Sequence, residues 1–294
     1  MFAIVRSVFM HRYVRHLRLN FNLFLSPIFL WGVLLAGGGL VDIRVWFGYL
    51  ALHLFLYGGA NAFNSFYDRD EGPIGGLLEP PPVDRGLLWF SLIMQLLGLP
   101  LALWIGWGFT VAWLLLFLAS IAYSHPLVRL KANPAVSLVA VALGQGGVGF
   151  AAGWLIPEPD PLTLLESRAL LGVLTTSLIL VGLYIVTQSY QTVEDRKRGD
   201  MTLPLLLGPR RALLGACVAL GVGGSVMATW VVRLFGWDWA LLLIAFFGLL
   251  GAWLIYWALR FEEADVVANF RTTMRYVAVS SAGLGLFLLA HLIR

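Results

Sequence analysis

Apolar residues in this chain fall in long unbroken blocks rather than alternating with polar ones. Nine stretches reach the roughly 20 residues a helix needs to cross a bilayer: 21–40, 45–67, 86–106, 108–124, 134–155, 169–192, 210–233, 238–259 and 273–292. Continuous blocks exclude a membrane β-barrel, whose strands alternate inward and outward side chains. The pattern predicts an all-α polytopic bundle of nine transmembrane helices. Gly106-Trp107-Gly108 is the whole connection between the third and fourth stretches and predicts a tight hairpin. No polar block is long enough to form a separate domain, so residues 1–294 read as one integral membrane unit.

Composition sharpens this. The chain is 60% apolar and 12% charged, with a mean hydropathy of +0.84. Soluble proteins carry about 25% charged residues, so a soluble enzyme, a disordered chain and a secreted disulfide scaffold are excluded. The one cysteine, Cys217, has no internal partner to bridge. A net charge of +4 does not call for a nucleic acid. The first 20 residues are basic and lack a cleavable signal pattern. With the N-terminus in the cytoplasm, every Lys and Arg except Arg44, Arg168, Arg233 and Arg294 lies on the inner side. The positive-inside rule therefore predicts N-terminus in and C-terminus out. Eleven of the 16 acids share that inner side, which the rule does not explain.

The acids gather at two helix ends. The second stretch closes with Asn61, Asn64 and Asp68, spaced three and four apart on one helical face. The sixth closes with Gln188, Gln191 and Asp195 at the same spacing. Solvated loop charges and capping amides are the plain alternative for either stripe alone. Two matched stripes on one side of the membrane favour a shared wet cavity, open to the cytoplasmic side, because facing lipid they would be penalised. Carboxylate and amide oxygens suit Mg²⁺, which accepts one or two carboxylates and substrate phosphate oxygens. Asn64, Asp68, Gln191 and Asp195 are the candidate ligands. Arg15 and Arg18 precede the first stretch, and Arg129 and Lys131 sit in the loop from Tyr123 to Lys131. Arg196, Lys197 and Arg198 follow Asp195, where topology alone accounts for them equally well. Cations beside metal-holding carboxylates describe a diphosphate site.

At this point the chain resembles the UbiA-type intramembrane prenyltransferase superfamily. That family carries an Asn-x-x-x-Asp-x-x-x-Asp motif after its second helix and Asp-x-x-x-Asp after its sixth. A Tyr-Ser-x-Pro loop ending in Arg-Leu-Lys follows its fourth helix, and Gly then Thr-Leu-Pro follow the second motif. Here Tyr123, Ser124, Pro126, Arg129, Leu130 and Lys131 stand in that order, as do Gly199, Thr202, Leu203 and Pro204. Asn64 and Asp68 match the first motif, whose third position falls on Gly72. Asp195 matches the second acid of the other motif, whose first falls on Gln191. Asp70 or Glu71 could replace the acid lost at Gly72 only if the helix has already unwound there.

The resemblance implies transfer of a prenyl group from an isoprenyl diphosphate to a lipophilic or aromatic acceptor, with Mg²⁺ and ionisation to an allylic carbocation. It assigns Asp68, Asp195 and Lys131 to catalysis. Arg15, Asn61, Asn64, Tyr123, Arg129, Gln188 and Gln191 contact the substrate. It also implies contact with membrane lipid and residence in a bacterial inner membrane. A terpene cyclase of the same fold is the second reading. A transporter is the third, opposed by polar residues clustering on one side only. His53, a candidate to touch the acceptor, reads more readily as a packed, hydrogen-bonded histidine. The stretch Pro73 to Pro82, rich in Pro and Gly, cannot continue the helix and is expected to cap the cavity mouth.

Overall fold

A computed structural model describes residues 11–293. The first ten residues, with the basic N-terminus, and Arg294, expected outside, lie beyond the described residues. Among the described residues there is no strand, and eight helices are long and apolar enough to cross a membrane. These are α1 (His11–Leu35), α3 (Arg85–Ile105), α4 (Trp107–Ser124), α5 (Pro134–Trp154), α6 (Ser167–Gln188), α7 (Pro209–Phe235), α8 (Trp237–Leu259) and α9 (Val266–Leu292). Between α1 and α3, residues 43–68 form another continuous helical run, α2, in which Leu50–Leu56 is a π-helical turn. His53, Asn61 and Asn64 dilute its apolar character, so it is not one of the eight.

The ends are set by local chemistry. The first stretch sits further toward the N-terminus than the expected 21–40, because Gly37 turns at φ +77° and stops α1 at Leu35. Gly106 alone joins α3 to α4, at φ +147°, a conformation that favours glycine, so the expected hairpin is present. Asp42 and Asp84 cap α2 and α3 by accepting from Arg44 N and Gly86 N. The sixth stretch was expected to run to 192. It stops at Gln188, and a separate short helix covers Thr192–Arg198.

The helices pack as neighbours in sequence and close on themselves. α2 lies on α3, α6 on α7 and α7 on α8, while α5 packs on α1. α9 returns to α1 and α6, and Ser281 Oγ donates to Phe24 O at 2.8 Å. Small residues set the closest approaches. A Cβ on Gly32 of α1 would overlap the Phe150 carbonyl oxygen, and one on Gly153 of α5 would overlap the Phe29 carbonyl oxygen. Without a hydrophobic effect between lipid and helix, such backbone proximity is what holds membrane helices together. Large apolar side chains such as Trp89, Leu103, Leu249 and Leu286 point outward.

Gly153→Val should therefore separate α1 from α5. Overpacking costs about 1–3 kcal/mol and would appear as a lower apparent melting temperature of the detergent-solubilised chain. Gly215→Val, where a Cβ meets nothing within 4 Å, should leave it unchanged.

Candidate active site

The end of α2 is anchored by its own amides. Asn61 Nδ2 donates to Asn22 Oδ1 at 2.6 Å, and Asn22 Nδ2 donates to the carbonyls of His53 and Leu17 at 2.9 and 3.1 Å. Asn64 Nδ2 donates to Ser124 Oγ at 3.0 Å, fixing α2 to α4. Helix α2 stops at Asp68 because Arg69 adopts φ +51°, its N–H bonding Ser65 O. This left-handed residue unwinds the chain at once and carries Asp70 into the same cavity that Asp68 lines. Two residues on, Gly72 N–H donates to Glu194 Oε1 at 2.6 Å. A Cβ at Gly72 would lie 2.7 Å from that oxygen, so a carboxylate from the other acidic segment fills the space a side chain here would need.

After α6 the chain turns through Ser189 and Tyr190 and restarts at Thr192. Gly199, at φ +75°, ends the short helix in a left-handed cap. The break keeps Gln188, Gln191 and Asp195 on one cavity wall although they no longer share a helix. Gln191 Nε2 reaches Pro73 O at 3.5 Å. Arg198 binds carboxylates from both segments: Asp70, Asp195 Oδ1 at 2.6 Å and Asp200 Oδ2 at 3.3 Å.

The loop between α4 and α5 supplies the other cations. Arg129, at φ +44°, turns the chain into the one-turn helix Leu130–Ala132. Lys131 Nζ meets both carboxylate oxygens of Asp68. Arg129 holds Asp200 through two bonds of 2.9 Å and stands 3.8 Å from Asp68. Burial pushes the Asp195 carboxyl up to about 6, against the pull of Arg198. Burial likewise raises Glu194, against its bond from Gly72, and lowers Lys131, against the attraction of Asp68. Burial lowers Arg198, but Asp70, Asp68 and Asp195 outweigh it and raise the guanidinium overall.

These groups form one end of a cavity of about 260 Å³. The other end is mainly apolar, with Phe24, Leu25, Leu56, Leu116, Leu180 and Leu183 in its wall beside the polar Gln145 and Ser120. Between the two lies a hydrogen-bonded relay: Gln188 Nε2 donates to Tyr184 OH at 2.7 Å, and Tyr184 OH meets Tyr123 OH at 2.7 Å. Gln188 Oε1 is buried with no hydrogen-bond partner among the described residues. The segment expected to cap the cavity borders it at Ile74 and Gly75. Ile74 and Leu77 exchange backbone bonds of 2.9 and 2.8 Å, and Ile74 is buried in the cavity wall with Gly75.

Of the residues singled out in the sequence, Asn61, Asn64, Asp68, Tyr123, Lys131, Gln188, Gln191 and Asp195 all line this cavity. Arg129 reaches it through Asp68 and Asp200. Arg15 is not brought in: it donates to Glu79 O at 3.0 Å on the exposed surface. Arg18 lines the cavity instead, donating to Ser65 Oγ at 2.6 Å. His53 is buried outside the cavity, stacked on Tyr49 with ring centroids 4.0 Å apart. The sequence reading missed Asp200 and did not assign Asp70 or Arg198. Among the described residues no three His, Cys, Asp or Glu converge as a ready metal cage. The acids face cations instead. The donors are all oxygen, and one buried amide oxygen is unmatched, a chemistry that fits a hard ion such as Mg²⁺ better than a soft one.

Comparisons with known proteins give the family and the fold. The profile of the UbiA prenyltransferase family matches residues 25–279. A UbiA homolog from Archaeoglobus fulgidus bound to GPP and Mg²⁺ has a TM-score of 0.69 at 21% identity, covering 96% of this chain and 99% of that one. The same homolog bound to DMAPP and Mg²⁺ gives 0.65 at 20%, covering 93% and 99%. A digeranylgeranylglyceryl phosphate synthase gives 0.61 at 17%, covering 96% and 98%. No curated protein matches the chain in sequence. At these identities the structural likeness is one of fold.

The left-handed turn that delivers Asp70 can be tested at Arg69. Arg69→Gly should keep the fold, since glycine adopts that conformation freely. Arg69→Val should cost about 1–2 kcal/mol, read as a lower apparent melting temperature than that of Arg69→Gly.

Proposed function

We propose that this chain, which belongs to the UbiA prenyltransferase family, transfers a prenyl group from an isoprenyl diphosphate to a lipophilic or aromatic acceptor within the membrane. One observation carries the reading. Carboxylates and cations from the segments after α2, α4 and α6 meet at one end of a cavity whose other end is mainly apolar. Such a cavity suits a molecule with a diphosphate head and a hydrocarbon tail.

Asp68, Asp195 and Asp70, with the side-chain oxygens of Asn64 and Gln191, would hold Mg²⁺, which when bound supplies positive charge to the leaving diphosphate. Asp70 takes the part of the acid absent at Gly72, because the chain has unwound at Arg69. Lys131 and Arg129 bind the diphosphate oxygens, and Asp68 and Asp200 keep those side chains oriented. The C–O bond breaks with both electrons leaving on the diphosphate. The allylic cation is then captured by the acceptor, which loses a proton. Phe24, Tyr57, Tyr123 and Tyr184 in the wall can each stabilise a cation by about 0.5–2 kcal/mol. The segment from Pro73 to Pro82 excludes water, tied down by Gln191 and Glu194.

The orientation follows from the basic residues. Residues 43–68 make a ninth crossing, the N-terminus and the cavity mouth face the cytoplasm, and the C-terminus faces outward. A bacterial inner membrane is the location this reading favours. Asn61, Asn64 and Asp68 make the 43–68 crossing tolerable because they line the cavity rather than lipid.

The test is diphosphate release by the purified chain with Mg²⁺ and a panel of isoprenyl diphosphates, with and without membrane extract. Release that requires extract, with a prenylated product, is expected. Release without extract giving a hydrocarbon would indicate a cyclase, and no release with any chain length would overturn both. Asp68→Ala and Asp195→Ala should each abolish turnover while leaving membrane insertion intact. Deleting the cap segment should raise the share of free prenyl alcohol among the products, and an unchanged ratio would refute its role.

A further inference from the structure

Arg198 occupies an unusual place among the site's charges. Four carboxylates, those of Asp68, Asp70, Asp195 and Asp200, are nearly buried there, at 7, 4, 7 and 4% side-chain exposure. Every one of them is paired. Lys131 holds Asp68, Arg198 holds Asp70 and Asp195, and Arg129 and Arg198 share Asp200. Arg198 therefore bridges the segment after α2 to the segment after α6, and it stands on the oxygens best placed to bind a divalent ion. A guanidinium does not lose its proton, so it leaves those oxygens only by moving. It is also less enclosed than Lys131, whose side chain is 9% exposed. The Arg198 side chain is 19% exposed, it lines the cavity, and it belongs to a short helix after a break rather than to a membrane helix.

Occupancy of the oxygens decides when it moves. A divalent cation arriving alone finds the carboxylate oxygens already held by ammonium and guanidinium groups, and must displace one of them to bind. A diphosphate arriving alone offers the guanidinium a bidentate partner of higher charge than any one carboxylate. Once the guanidinium turns to the anion, Asp70 and Asp195 are bare and the cation has a place.

We propose that Arg198 is a diphosphate-binding residue that closes the carboxylates to metal in the free protein, so that the anion opens the metal site. This rests on the prenyl diphosphate reading above. Asp200, which bonds both Arg129 and Arg198, is the positioning residue that keeps the two guanidinium groups side by side for the anion.

The experiment measures two affinities on the full-length chain in detergent, for wild type and Arg198→Gln: Mn²⁺ alone, by the electron spin resonance of free Mn²⁺, and inorganic pyrophosphate alone, by tryptophan fluorescence. Arg198→Gln should bind Mn²⁺ about tenfold more tightly and pyrophosphate about tenfold more weakly, a coupling within the usual range for linked sites. A structural loss would weaken both, so the opposite signs identify the role. Mn²⁺ affinity unchanged or weakened, or pyrophosphate affinity unchanged, overturns it. If Arg198→Gln does not fold, Arg198→Lys serves. A single ammonium cannot bridge three carboxylates, so Mn²⁺ should again bind more tightly while pyrophosphate stays within about threefold, and no gain in Mn²⁺ affinity overturns the proposal. Wild type that binds neither Mn²⁺ nor a prenyl thiodiphosphate even together would sink the prenyl diphosphate reading itself. Wild type that binds both together, with Arg198→Gln unchanged for Mn²⁺, would sink only the role of Arg198.

Discussion

A carboxylate cannot stay ionised inside a low-dielectric body without a counter-ion at contact. The cost of removing such a charge from water is several kcal/mol even after relaxation. This chain places Asp68, Asp70, Asp195 and Asp200 almost out of water, and each is paired: Asp68, Asp70 and Asp200 with cations from distant segments, Asp195 with Arg198 of its own short helix. Lys131 and Arg129 come from the loop after α4, and Arg198 from the short helix after α6. Ion pairing thus ties three distant connections into one cluster. Neither an isolated acidic helix end nor an isolated basic loop would have a reason to sit where it does.

The same constraint gives the cavity its polarity. Charges gather where the loops meet, and the helices contribute Leu, Phe and Tyr with Gln145 and Ser120, so the space runs from ionic to mainly apolar. The Tyr123–Tyr184–Gln188 relay marks the change between the two regimes. Close backbone contacts at Gly32 and Gly153 hold the bundle, leaving its outer face free to be apolar. The outer face and the candidate site are therefore served by different residues of the same helices.

Much of this was legible in the sequence because it depends on spacing. Unbroken apolar blocks located the helices, and the matched spacing of Asn64 with Asp68 and Gln191 with Asp195 brought both acidic ends to one cavity. What escaped depends on where helices stop. Periodicity carried past Asp68 puts Asp70 on the wrong face, and only the left-handed Arg69 corrects it. A second left-handed residue, Arg18, redirects the chain in α1, so Arg18 rather than Arg15 reaches the cavity. Helix α6 stops earlier than its hydropathy suggests, and the restart at Thr192 swings Arg198 onto the acids. In the sequence Arg198 is one of three consecutive bases and cannot be told from a topology signal. Asp200 follows a helix-ending glycine and belongs to neither stripe, although its bonds to Arg129 and Arg198 place it at the centre.

The central claim is that the ends of α2 and α6 grip one diphosphate between them. Its most direct measurement is an experimental structure of the chain in lipid with Mg²⁺ and a non-ionising prenyl thiodiphosphate. The account predicts the diphosphate at the charged end, with Lys131, Arg129 and Arg198 on its oxygens, Asp68 and Asp195 sharing its metal, and the prenyl tail among Leu56, Leu116 and Leu180. A diphosphate bound elsewhere, or held by only one of the two acidic segments, would contradict it.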